Sequence, residues 1–341
     1  MELTLRKDRI LASVVTSFIK SGEPVGSKAI AQEIGVSSAT VRNEMASLTE
    51  LGLLEQPHTS AGRVPSQQGY REFVDRLMVV PVLEPAQARQ IGAALAPGLY
   101  DPQQLLLRAV QAAAGISRCA AAVTTPGGSQ ARVKAIQLVQ TSRRTAMLLM
   151  MSSAGTMKSR IFRCDYDLTN EILRVFFRVL NENVAGKAVC EITPAFLQSL
   201  GASLGSMYAL VGAPLRALLE AANDTAHTET ILGGQMNLLL YPELGMMGAR
   251  QMIGFLERRE ELADLLRQRP GRVTALIGKE CGRPEMEGFS MLVARYRVDG
   301  QDAGAIAVVG PMRMDYPRLT AVLDHLTHEI SIQLTQLARE E

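Results

Sequence analysis

Apolar residues recur at helical spacing from the start of the chain and predict an amphipathic helix from Arg6 to Lys20. Ile10, Val14 and Phe18 lie on its apolar stripe. The glycine-containing segment of residues 22–26 then predicts a turn. We therefore expect this helix to support the elements that follow it.

Two short helices joined by a glycine turn come next in the pattern. Ser27 is expected to cap the first of them, and Gly35 to end it in the left-handed conformation. Ser37 is expected to accept free amides at the start of a second helix over residues 38–51, with Gly52 as its stop signal. This arrangement is typical of a helix-turn-helix.

The outer face of this second helix is predicted to be small and polar. Val41, Met45 and Leu48 share the opposite side, which would pack on the first helix. The residues predicted to face away are Ala39, Thr40, Asn43, Ala46 and Ser47. Asn43 carries the donor and acceptor pair that matches adenine in a major groove, and Arg42 on the flank would reach guanine or phosphate. A solvated helix face is the alternative; the neighbouring turn and wing favour base contact.

A two-stranded wing is predicted after the second helix, because residues 53–55 and a return near Arg63 bracket the turn-rich segment 56–62. Arg63, next to the Ala61-Gly62 tip, is expected to touch phosphate or a narrow minor groove. His58 is either a neutral donor to DNA or, as we favour, an ordinary loop residue. The complete set of predicted DNA-binding residues is Lys28, Ser38, Ala39, Thr40, Arg42, Asn43, Ser47, His58 and Arg63.

One more amphipathic helix follows the wing and is expected to join it to the remaining chain. Its apolar stripe consists of Tyr70, Phe73, Val74, Leu77 and Met78. Pro81 and Pro85 come directly afterwards, so we place a domain boundary near residue 80.

Beyond residue 105 the pattern changes to one helix and then to antiparallel strands. The predicted strands are residues 119–125, 133–140, 144–152 and 158–164, followed later by 272–279, 290–298 and 303–310. Asp299-Gly300 predicts a tight hairpin between the last two. The intervening chain is mainly helical, with caps expected at Thr169 and Thr193. A sheet interrupted by a helical block suggests that one domain is inserted in another.

A long final helix is predicted to begin after Asp315, with Pro317 in its first turn. Its apolar stripe consists of Leu319, Val322, Leu323, Leu326, Ile330, Leu334 and Leu337.

Composition narrows the class of protein. The chain has 341 residues, which favours two or three domains. Apolar residues make up 47%, and the mean hydropathy is +0.08, yet no run approaches the ~18 apolar residues of a membrane span. The first ten residues lack the apolar core of a signal peptide. We expect a cytoplasmic protein, away from any membrane, that buries part of its apolar surface by oligomerisation.

The charge balance limits how such a protein would hold DNA. The net charge is only +2, and residues 1–78 carry equal numbers of basic and acidic side chains. One copy would therefore have little sequence-independent attraction for phosphates, and tight binding would require two copies on a two-fold symmetric site.

Two long strings, GEPVGSKAIAQEIGVSSATVRNEM and LGLLEQPHTSAGRVPSQQGYREFVDRLM, resemble the amino-terminal domain of the heat-inducible transcription repressor family, HrcA. ILGGQMNLL at 231–239 and GPMRMDYPRL at 310–319 are similar to later signatures of that family. The resemblance covers the whole chain. Met312 departs from it, because we expect Thr there, which affects only local loop detail.

The resemblance implies an α+β multidomain protein. Its expected parts are a winged helix-turn-helix DNA-binding domain at 1–80, a GAF-like α/β domain with an antiparallel sheet at 81–165 and 271–341, and an inserted, mainly helical dimerisation domain at 166–270. It also implies a homodimer that represses heat-shock chaperone operons from a double-stranded inverted-repeat operator. Repression would be relieved on heat stress and modulated by the chaperonin GroEL.

Other chemistry is weakly indicated, and we expect neither an enzyme nor a cofactor. Residues 201–205 match a nucleophile-elbow pattern, but Ser203 follows a helical stretch instead of a strand. His325 and His328 have the spacing of helical metal ligands, although a solvated face explains them better. The sequence contains no phosphate-binding loop or dinucleotide fingerprint. Its four cysteines lie far apart, and we expect them to be reduced core residues.

A metabolite-sensing transcription regulator, with a ligand in the GAF-like domain, is the alternative function. A third possibility is a chaperone client or scaffold, which the apolar composition permits. Ligand-dependent operator affinity would favour the sensor, and chaperonin-dependent affinity would favour the repressor.

Overall fold

The computed structural model describes residues 4–58, 61–95, 101–127, 131–153, 155–205, 208–267 and 271–340. The amino-terminal domain, residues 4–78, is a small helical bundle with a wing. Its elements are α1 (Leu5–Ser21), α2 (Ser27–Ile34), α3 (Ser38–Glu50), β1 (Leu54–Glu55), β2 (Val64–Pro65) and α4 (Gln67–Glu72). A π-helical turn, Phe73–Leu77, continues α4.

The predicted elements of this domain are confirmed, with one correction at the start of α2. Gly26, and not Ser27, occupies the cap position, with an extended backbone. Ser27 is the first helical residue, and its hydroxyl bonds the Ser38 hydroxyl across the turn at 3.0 Å. Gly35 and Gly52 both have positive φ and end α2 and α3 as predicted.

The next elements in the chain are two helices that each begin at a proline, then a strand and a separate three-stranded meander. They are α5 (Pro85–Ala94), α6 (Pro102–Ser117), β3 (Ala120–Thr124), β4 (Val133–Ser142), β5 (Thr145–Ser152) and β6 (Met157–Arg163). Three helices follow, α7 (Asn170–Val184), α8 (Pro194–Ser203) and α9 (Tyr208–Ala226). The hydroxyls of Thr169 and Thr193 cap α7 and α8 as predicted.

The remaining elements complete a larger sheet and its covering helices. They are β7 (Thr230–Gly233), α10 (Gly245–Leu256), α11 (Arg259–Arg267), β8 (Val273–Ile277), β9 (Phe289–Val298), β10 (Gln301–Pro311) and α12 (Tyr316–Glu340). Asp299 and Gly300 have positive φ between β9 and β10, which confirms the predicted hairpin. A side-chain oxygen of Asp315 accepts from the Arg318 amide at the start of α12, as predicted.

The larger sheet is antiparallel, with the strand order β7-β3-β10-β9-β8. Alternate residues face opposite sides, as the two-residue period of a strand requires. On β10, Ile306 and Val308 face α6 and α12, whereas Ala307 and Val309 face α10 and α11. We call this three-layer arrangement the central domain.

The prediction of one interrupted sheet is confirmed for β3, which pairs with β10 across the intervening chain, but it is wrong for β4–β6. Strands β4, β5 and β6 form a sheet of their own, and β7, inside the stretch predicted to be mainly helical, pairs with β3 of the central domain. The small sheet packs its buried face against α7, α8 and α9 around a separate apolar core that includes Ile136, Leu148 and Phe176. We call β4–β6 with α7–α9 the second unit.

The cysteine prediction is corrected at one position. Cys119, Cys164 and Cys281 are buried, but Cys190 is exposed, in the short 3-10 turn before α8. None of the four forms a disulfide bond within the described chain.

We predict that Gly69→Ala destabilises the amino-terminal domain by about 1–3 kcal/mol. A Cβ at Gly69 would lie 2.0 Å from the Leu53 carbonyl oxygen, so α4 would have to move off the base of the wing. Thermal unfolding, followed by circular dichroism, measures the change.

Gly92→Ala is the matched control, because Gly92 lies inside α5 and a Cβ there would meet nothing within 4 Å. It should be neutral or slightly stabilising, since alanine favours helix. Equal thermal midpoints for the two variants would contradict the close packing of α4 on Leu53.

Candidate nucleic-acid interface

Helix α3 is held from one side only. Val41, Met45 and Leu48 are buried against the rest of the amino-terminal domain. The Ser37 hydroxyl caps the helix by accepting from the Thr40 amide at 3.0 Å. The first two turns therefore present an outer face that nothing in the described chain covers, and Asn43 is exposed on it.

The predicted contact residues of α2 and α3 fall into two groups. Lys28, Ala39, Arg42 and Asn43 are exposed. The partly buried residues are Ser38, Thr40 and Ser47. The Ser38 hydroxyl bonds Ser27, and the Thr40 hydroxyl bonds Ser37 at 2.8 Å, so both also hold the start of the helix in place.

Arg63 directly precedes β2 and is tied to the body of the domain. Its backbone N–H and C=O both pair with Val25 at 2.9 Å, adding a bridge beside β2. Its Nε donates to the Thr49 hydroxyl on α3 at 3.1 Å. No local sequence pattern indicated Thr49 or Val25 as anchors, because both are distant from Arg63 along the chain.

A cleft of about 370 Å³ separates α3 from the wing. It is lined by Val25, Gly26, Ser27, Arg42, Met45, Gln56, Ala61, Gly62 and Arg63. Two of these described lining residues are arginines and none is acidic, so the cleft has the charge and size to receive a backbone phosphate.

His58 is exposed on the wing, and its carbonyl oxygen accepts from the Ala61 amide at 2.8 Å. Residues 59 and 60 of the predicted wing tip lie outside the described residues. The role of His58 as a donor to DNA stays a prediction.

The charges of the amino-terminal domain are balanced in number but separated in space. Glu44 lies 3.9 Å from Arg6, and Glu72 pairs with Arg76 on the far helix. Within the described chain, Lys28, Arg42 and Arg63 have no acidic partner. The cleft beside α3 therefore contains arginines without an acidic ion-pair partner, although the domain as a whole is nearly neutral.

The other candidate residues do not assemble into a site. Ser203 is the last residue of α8, and its hydroxyl donates to the Leu200 carbonyl at 2.7 Å. His325 and His328 lie on α12. No group of three His, Cys, Asp or Glu side chains with the geometry of a metal site occurs among the described residues. A search of the described helices also finds none long and apolar enough to cross a bilayer.

A helical bundle with a capped, outward-facing third helix, a two-stranded wing and an arginine-lined cleft defines a winged helix-turn-helix DNA-binding protein. Comparison with known proteins identifies which kind. Residues 2–76 match the family model described as "Winged helix-turn-helix transcription repressor, HrcA DNA-binding", and residues 103–320 match "HrcA protein C terminal domain". The chain belongs to the HrcA family of heat-inducible transcription repressors.

Full-length relatives support this assignment. The Heat-inducible transcription repressor HrcA of Desulforudis audaxviator is 34% identical, covering 99% of this chain and 100% of the relative. That of Natranaerobius thermophilus is 31% identical, with 98% of each covered. A crystal structure of a hypothetical protein shares the fold, with a TM-score of 0.65 and 22% identity over 98% of this chain and 100% of the other.

We predict that Asn43→Ala weakens binding to a specific operator by about 1–3 kcal/mol and relaxes base preference, because it would remove the bidentate base contact predicted for this side chain. Competition binding with duplexes that differ at single positions measures both effects. Gln32→Ala is the control, since Gln32 is exposed on α2, outside the cleft and off the outer face of α3. A loss in Asn43→Ala that was equal on specific and scrambled DNA would argue against base contact.

Proposed function

We propose that this protein represses heat-shock chaperone operons by binding an inverted-repeat operator as a homodimer in the cytoplasm, and that heat stress relieves the repression. The observation that carries the proposal is the exposed face of α3 beside the cleft of Arg42 and Arg63. Asn43 reads a base edge there. Lys28, Arg42 and Arg63 hold phosphates on either side.

Two copies are required because one amino-terminal domain offers few phosphate contacts. A small number of neutralised phosphates releases few counterions and gives weak binding at physiological salt. A symmetric dimer doubles that number and reads two half-sites at once.

The second unit is our candidate for the dimerisation domain, which moves its expected boundaries from 166–270 to about 131–226. Support comes from its separate core and from apolar side chains on its outer surface. Met157 and Ile161 on β6 and Phe177 on α7 are exposed. The central domain is our candidate for the GAF-like domain.

The proposal predicts preferential binding to an inverted-repeat operator over a scrambled duplex, measured by fluorescence anisotropy at several salt concentrations. The apparent affinity should fall when the protein concentration drops below that needed for dimers, and analytical ultracentrifugation measures this concentration.

Arg63→Gln should weaken binding to both duplexes by the same factor and make the salt dependence of binding shallower. Equal, weak binding of wild type to both duplexes would contradict specific repression.

We also propose that a chaperonin helps to keep the repressor active, so that unfolded proteins, which compete for the chaperonin, release repression. An exposed apolar patch of the central domain supports this part. It consists of Met236, Leu239, Leu240, Met246 and Met247, and the exposed fraction of Met246 is 75%. Flexible methionine side chains suit contact with an adaptable apolar surface.

Adding chaperonin should therefore raise the fraction of protein that binds operator, measured by stoichiometric titration with operator DNA. The double variant Met246→Ser and Met247→Ser should reduce this gain. The control is Val82→Ser, at a 95% exposed apolar position between the amino-terminal domain and α5, outside the patch. An active fraction that does not respond to chaperonin would contradict the chaperonin proposal and leave the operator-binding proposal standing.

A metabolite-controlled regulator remains the second candidate, favoured by a cavity of about 290 Å³ where the central domain meets the second unit. Leu106 and Thr125 line it from one side, and Lys158, Thr225 and Glu229 from the other. A small molecule that changed operator affinity, and lost its effect in Leu106→Trp, would favour this function.

A further inference from the structure

Helix α4 connects the wing to the central domain, and Arg71 on it carries most of the polar contacts between the two. Its Nε donates to Glu280 at 2.9 Å, and one terminal nitrogen donates both to Glu280 and to the Ala275 carbonyl, the latter at 2.7 Å. The other terminal nitrogen donates to Asp75 at 3.0 Å. All three guanidinium nitrogens are therefore engaged, and two of them bond the central domain.

Glu280 is itself fixed by the backbone. Its carboxylate accepts from the Ile277 amide at 2.9 Å, within the tight turn of residues 278–281 that follows β8. Ala275 lies on β8, an edge strand of the larger sheet. The Arg71 fork thus bonds a backbone carbonyl of β8 and a carboxylate that is itself held by the backbone.

Two neighbouring contacts keep this joint in one orientation. The rings of Tyr70 and Tyr316 lie 5.9 Å apart, and Tyr70 is 1% exposed. Burial raises the pKa of Tyr70 far above its ordinary value, so the phenol stays neutral. The Gln67 side chain accepts from the Lys279 amide at 3.3 Å, one helical turn from Arg71.

The recognition helix follows α4 as a rigid body. Gly69 of α4 packs against the Leu53 backbone, and the Ser66 hydroxyl caps α4 while bonding the Gly52 carbonyl at the end of α3. A rotation of α4 on the central domain would therefore rotate α3 by a similar angle.

We propose that Arg71 is a positioning residue for operator recognition. By its forked bond to Glu280 it fixes the direction of α3 relative to the central domain, and so sets the half-site spacing that a dimer accepts. The inference rests on the proposed dimeric function. Arg71 does not touch DNA in this role.

Lysine in place of Arg71 keeps the charge but cannot form the planar fork. Each amino-terminal domain of Arg71→Lys would then sample several orientations on the central domain. Binding to a matched operator loses affinity, because ordering the two domains costs free energy. Binding to operators of other spacing loses less, since some orientations fit them.

The test uses full-length protein and fluorescence anisotropy on three kinds of duplex. They are the matched operator, the same operator with its spacer changed by about 2 base pairs, which rotates one half-site by ~70°, and a single half-site. The variants are Arg71→Lys and, should it fold poorly, Glu280→Gln. Arg76→Lys is the matched control, because among the described residues the ion-pair partner of Arg76 is Glu72, on the same helical segment.

In Arg71→Lys and Glu280→Gln, the preference for the matched over the altered spacing should fall about tenfold, with half-site affinity unchanged. Arg76→Lys should keep the wild-type preference. An unchanged preference, or an equal loss on all three duplexes, would overturn the inference and leave the proposed function standing. If the wild type bound the matched and altered spacings with equal affinity, that result would contradict both the proposed dimeric function and this inference.

Discussion

The amino-terminal domain and the central domain share one continuous apolar core, and this shared burial is the constraint on which the other features depend. Ile10, Val14 and Tyr70 of the first domain belong to the same buried cluster as Leu326 and Tyr316 of α12. Burying apolar surface between domains stabilises their contact in proportion to the area removed from water. The recognition helix therefore has a defined orientation on the central domain.

Polar bonds narrow the range of orientations that the apolar contact between the two domains allows. A buried apolar surface tolerates small rotations, whereas a forked arginine and a capped turn accept only a narrow range of angles. Arg71 and Glu280 lie at the edge of the shared core, where each side chain is about one third exposed. Such a pair adds modest stability, because solvent screens it. Its fork geometry nevertheless restricts the angle between the two domains. Orientation would matter in the proposed homodimer, since two recognition helices would have to meet half-sites at a fixed separation.

Charge separation inside the amino-terminal domain explains how a nearly neutral domain can face DNA. Glu44 and Glu72 lie near arginines on other surfaces, while the cleft beside α3 keeps its two arginines without an acidic neighbour among the described residues. Formal charge summed over the sequence hides this arrangement. The weak long-range attraction that remains is the reason for proposing a dimer that relies on base contacts and two-fold symmetry for its affinity.

The sequence by itself determined the local elements of this protein. Caps at Ser37, Thr169 and Thr193, the glycine after α2 and the Asp299-Gly300 hairpin were predictable, because each depends on residues a few positions apart. The winged helix-turn-helix, assembled from such signals, was predictable too. Only the tertiary structure decided that strands β3–β10 form two sheets, that β7 pairs with β3, and that Arg63 is held by Val25 and Thr49. These depend on pairings between residues far apart in the chain, and strands of similar apolar character carry no local signal of which partner each will take.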